Sequence, residues 1–99
     1  MNSEIKKIIN IGLKNKAISL RYIKKENALF FKDRETLVLK KIQGVHFKYG
    51  ELLKGINALN DSGEYKAQVI GGNISIKFFN IGNIYKEVSA QNNTPDQVK

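Results

Sequence analysis

The apolar residues change period at Ala17. Before it they recur every third or fourth position, at Ile5, Ile8, Ile9 and Leu13. After it they alternate, at Ile18, Leu20 and Tyr22, at Tyr65, Ala67 and Val69, and at Ile74, Ile76 and Phe78. The first spacing places apolar groups on one face of a helix, the second on one face of a strand. A chain built this way opens with a helix and continues in short strands. Its 99 residues amount to one domain.

Ser3 is positioned to cap the first helix, with Glu4 in the first turn where the helix dipole favours an acid. Lys6, Lys7, Asn10 and Lys14 fall opposite the apolar arc, and Ile11 lies outside it. Lys16 would re-enter the arc, so the helix should end near Asn15. Strands are expected over 17–23 and 28–32, the second with Leu29, Phe30 and Phe31 consecutive and its facing open. A third strand has Leu37 and Leu39 inward with Val38 and Lys40 outward. Gln43-Gly44 then turns the chain into a strand with Val45, Phe47 and Tyr49 inward and His46 and Lys48 outward. Residues 51–60 read as a second helix with Leu52, Leu53, Ile56 and Leu59 in one stripe. Gly55 inside it costs about 1 kcal/mol relative to alanine. Asn60 to Gly63 ends that helix, and Gly71-Gly72 joins two alternating runs as a hairpin. Residues 80–83 read as a turn, 84–88 as a last short strand, and 89–99, with the lone Pro95, as a polar tail.

The expected fold is therefore α+β, a twisted antiparallel sheet of about five to seven short strands with both helices on one face. The domain spans 1–88 and the flexible tail 89–99. The other sheet face is left exposed or paired with a second subunit, as in a homodimer.

Several function classes are excluded by what is missing. With no cysteine there is no disulfide framework, thiol catalysis or Cys-ligated zinc, and a single histidine, His46, rules out two-histidine chemistry. Glu26, Asp33 and Glu35 sit in turns, where acids are ordinary, and form no spaced carboxylate pair. Gly71-Gly72 lacks the frame of a phosphate loop. No catalytic residue, metal ligand or cofactor is assigned. The apolar run from Ile8 to Leu13 is too short for a signal peptide or a membrane span, so a cytoplasmic protein without a membrane partner is expected.

Charge is the remaining signal. The formal net charge is +8, and residues 1–25 hold seven cations against Glu4 alone, six of that surplus. Fifteen of the cations are lysines. AT-rich coding accounts for lysine over arginine but not for the sign. Such asymmetry points to a polyanion, and lysine, a point charge without arginine's fork, to backbone attraction with weak base specificity. The residues assigned to nucleic-acid binding, DNA or RNA, are Lys6, Lys7 and Lys14 on the first helix, Arg21, Lys40, Lys48, Lys66 and Lys77 on outward strand positions, and Phe79 as a stacking group, with Phe30 or Phe31 as the other aromatics available for stacking. Outward Ile23 and Ile70 accompany Phe79 on the wet faces. Tyr22, Phe47, Tyr49, Tyr65 and Phe78 follow the core parity.

Two other readings stand beside this one. A phage- or plasmid-type inhibitor or adaptor could dock the same charge on an acidic partner protein. The closing helix, hairpin and short strand are also loosely similar to the compact basic ribonuclease toxins of bacterial toxin–antitoxin pairs, over less than half the chain. Those toxins start with a strand followed by helices, unlike this chain, and no residue is carried over. The resemblance implies a small ribonuclease as a third reading.

Overall fold

The computed structural model describes residues 1–79. The elements run α1 (Ser3–Lys14), β1 (Ala17–Ile23), β2 (Ala28–Asp33), β3 (Leu39–Ile42), α2 (Tyr49–Asp61), β4 (Tyr65–Ile70) and β5 (Asn73–Phe78). The five strands form a single antiparallel sheet in the order β3-β2-β1-β5-β4. Because β3 and β4 are opposite edges, α2 has to carry the chain across one sheet face between them. Strands about 4.8 Å apart make that crossing about 19 Å, and a helix of 13 residues reaches it.

α1 begins one residue earlier than its sequence suggests. The N-cap is Asn2, not Ser3: its side-chain oxygen accepts from the Ile5 N–H at 2.9 Å, while its amide donates to the Glu51 carbonyl at 2.7 Å. A longer amide side chain can cap its own helix and reach α2 at once, which serine cannot. Ile5, Ile8, Ile9 and Gly12 are buried, whereas Leu13 is exposed and Ile11 packs on the core margin.

Both helices lie on the same face. The sheet contributes Leu20, Tyr22, Leu29, Phe31, Ile74, Ile76 and Phe78 to a core completed by Ile5, Ile8, Ile9, Leu52 and Leu59. Register explains the set: Leu20 stands opposite both Phe31 and Ile76, and Tyr22 opposite both Leu29 and Ile74, so all six project from the same side. Ile18 is only partly buried, because a bulge between Ala17 and Ser19 breaks the alternation there. Gly55 is buried where α1 and α2 cross, and a Cβ there would collide with the Ile5 side chain. The β4–β5 hairpin turns at Gly71 and Gly72, with φ of 57° and 85°, a pair of left-handed residues that glycine adopts without strain.

Two strand assignments are corrected. Residues 45–48 form no strand and Tyr49 already opens α2, because backbone groups a strand would pair are held by α1 side chains. Lys7 donates to the His46 carbonyl, and the Glu4 carboxylate accepts from the Lys48 N–H at 2.7 Å. Phe47, Tyr49 and Tyr65 pack against the core but are only partly buried. Leu37 and Leu39 do not face inward; each is 60% exposed. The Asp33 carboxylate accepts from the N–H groups of Glu35 and Thr36, and Leu37 turns left-handed, which lengthens the turn and starts β3 only at Leu39. The turn, strand and tail expected over 80–99 lie outside the described residues.

Candidate functional site

Among the described residues both helices lie on one side of the sheet, and the makeup of the other, helix-free face follows from the same register. One row of directly paired positions runs Lys66, Lys77, Ser19, Lys32, Leu39 from edge to edge. The next runs Gln68, Ser75, Arg21, Phe30, Lys41. Among the described residues no acid occupies a strand position on this face; Glu64, two residues before Lys66, borders it at one end. Among the described residues the salt bridges are Lys40–Asp33 and Lys54–Glu51, and neither involves the five cations of these rows.

Lys66 and Lys77 are the telling pair. They are directly opposite on β4 and β5, and both are exposed. Like charges at such positions, with Cβ atoms about 4.5–5.5 Å apart, destabilise a sheet. Beside them Gln68 and Ser75 complete a small depression of about 50 Å³. A larger depression of about 360 Å³ adjoins it, with Phe30, Lys32 and Leu39 on one side, Ser75 and Lys77 on the other, and Ser19 and Arg21 between. Phe30 is partly exposed and carries the Lys41 ammonium 5.8 Å from its ring centroid.

The sequence-assigned residues are not gathered in one place. Arg21, Lys66 and Lys77 share the helix-free face, and Phe79, 43% exposed, follows β5 at its end. Lys6, Lys7 and Lys14 belong to α1 in the opposite layer, where Lys7 is engaged with the His46 carbonyl and lies 4.9 Å from the Phe47 ring centroid. Lys40, expected outward with Arg21, projects from the helix side opposite Phe31, 3.2 Å from Asp33. Lys48 is the N-cap of α2 rather than a strand residue. Ile23 is partly buried and Ile70 is 63% exposed.

Lys32 and Lys41 were missed, and Phe30 was left level with Phe31 as a stacking candidate. Phe30 and Lys32 share β2 parity, but three consecutive apolar residues concealed which side was which. Lys41 was hidden by the misplaced start of β3.

The Asp33 carboxyl, on the helix side, is held down to about 2 by the Thr36 and Glu35 N–H groups and by Lys40. Burial raises the Tyr22 hydroxyl, assisted by Tyr49, on the opposite side of the sheet. His46 is exposed and bonded to the Asn27 side chain at 2.8 Å. Among the described residues no cluster of three or more metal-ligating side chains occurs, and no helix is long and apolar enough to cross a membrane. In comparisons with known proteins the chain matches no family model, no curated protein and no solved structure.

Proposed function

We propose that this protein is a non-enzymatic, cytoplasmic nucleic-acid-binding protein that holds the phosphate backbone on the helix-free face of its sheet, with weak sequence specificity. The observation that carries the reading is the directly opposed Lys66–Lys77 pair within a field that includes Arg21, Lys32 and Lys41 and, among the described residues, has no acid at a strand position. Repulsion between two lysines is a standing cost to the sheet, and a bound phosphate removes it. Four of the five cations are lysines, which supply charge without the bidentate geometry that reads guanine. The α1 lysines, in the opposite layer, contribute only to the long-range field.

Fluorescence anisotropy of labelled oligonucleotides tests this at low and rising salt. Replacing Lys32 and Lys77 by glutamine should weaken binding and flatten the log–log salt slope by about 0.7–0.9 for each phosphate no longer neutralised. Replacing Lys6 and Lys14 by glutamine should change it far less. The reverse order, or co-purification of a stoichiometric acidic protein after nuclease treatment with no affinity for oligonucleotides, refutes the reading and favours a protein-docking module.

A further inference from the structure

The two depressions on the helix-free face share Ser75 and Lys77 but differ in chemistry. The smaller has two ammonium groups, a hydroxyl and an amide, donors suited to a phosphate oxygen. The larger is lined on its far side by an aromatic ring and a leucine, Phe30 and Leu39. Phe30 stands two strands and one side-chain row from Lys77. At about 4.8 Å per strand and about 6.8 Å per row, that separation is about 12 Å. A volume of about 360 Å³ lies within the range of small-ligand sites.

Building on the backbone-binding reading, we infer that the ligand is a single strand, RNA or DNA, crossing the sheet with a phosphate between Lys66 and Lys77 and a base against Phe30. A duplex keeps its base faces stacked inside the helix. It could meet the cations of this face but would leave the Phe30 ring and the larger depression unused. A single strand has unstacked bases to offer, and an aromatic ring flanked by cations is a platform for them. Lys41, already beside the Phe30 ring, is placed to neutralise the phosphate that follows the stacked base. Ser19, Ser75 and Gln68 add hydrogen-bonding groups that suit any base edge and select none strongly.

The test compares four probes by anisotropy competition at low salt: a 15-nucleotide oligo(dT), a 15-nucleotide oligo(U), a 15-base-pair duplex and inorganic polyphosphate. At least one single strand should bind about tenfold more tightly than the duplex and the polyphosphate, and the stronger of dT and U identifies the source. Phe30→Leu should weaken that binding about 5- to 150-fold, the range for losing one stacked base, while Phe30→Tyr retains it. Circular dichroism melts check that both variants fold, and Lys41→Gln, which should also weaken single-strand binding, probes the same subsite without touching the apolar side. Duplex or polyphosphate bound as tightly as single strands, or an unchanged affinity in Phe30→Leu, overturns the single-strand assignment and leaves backbone binding standing. No binding of any polyanion overturns both.

Discussion

Lys66→Glu should make the fold more stable and the ligand site worse. Lys66 and Lys77 are direct cross-strand neighbours. Removing a like-charge pair returns about 0.2–1 kcal/mol, and creating an opposite-charge pair adds a similar amount. A net gain of about 1 kcal/mol is the expectation, equivalent to about 4–8 °C in Tm for a domain of this size. Lys66→Gln, which only relieves the repulsion, should give about half. Both gains should shrink in 1 M salt, where the screening length is about 3 Å rather than the roughly 30 Å of 10 mM salt. Thermal and urea denaturation at the two salt concentrations measures the stability. Anisotropy with a labelled single strand should show weaker binding in the same variants, more for glutamate than for glutamine. A lower Tm for Lys66→Glu in low salt, or a gain that persists unchanged in 1 M salt, would refute the claim that the pair is electrostatically strained.

Three further outcomes follow from the packing and the charges. In an exposed helix Gly→Ala stabilises by about 1 kcal/mol, but Gly55→Ala should destabilise, since overpacking against the fully buried Ile5 costs about 1–3 kcal/mol. In an Ile5→Ala background the same change should stabilise, and a double-mutant cycle by urea denaturation reads the reversal. Asn60 donates to the Ala67 carbonyl at 3.1 Å and accepts from its N–H at 2.7 Å, sealing the outer edge of β4. Asn60→Ala should cost about 1 kcal/mol by leaving those part-buried groups without their partner, whereas an unchanged Tm would mean water replaces the amide. Because the Asp33 pKa is lowered from 3.8 to about 2, its contribution to stability is complete above about pH 4 and is lost as the pH falls toward 2. Asp33→Ala should flatten that part of the urea midpoint-versus-pH curve, and an identical acid limb in wild type and variant would show that Asp33 does not couple to folding.

The elements legible in the sequence were those whose determinants are near neighbours. α1 follows from the spacing of Ile5, Ile8 and Ile9, and the β4–β5 hairpin from two alternating runs around two glycines. The wrong assignments came where a tertiary partner competed with local pattern. Val45, Phe47 and Tyr49 alternate like a strand, yet Lys7 and Glu4, about forty residues away in sequence, occupy the polar groups a ladder needs. Leu37 and Leu39 alternate too, but the Asp33 turn shifts where pairing begins, and a shift of one residue exchanges the two faces of a strand.

The same division applies to the candidate site. Composition determined the sign of the charge and the predominance of lysine, which are sums over residues and independent of shape. Only strand order and register determined which charges meet. The sequence's largest surplus, in residues 1–25, was divided among α1 with Lys6, Lys7 and Lys14, the turns with Lys16, Lys24 and Lys25, and β1, whose Arg21 faces away from the helices, while Lys66 and Lys77 joined Lys32 from the middle of the chain. Interactions between charges depend on distance in space, and in an antiparallel sheet that distance is set by pairing rather than by separation along the chain.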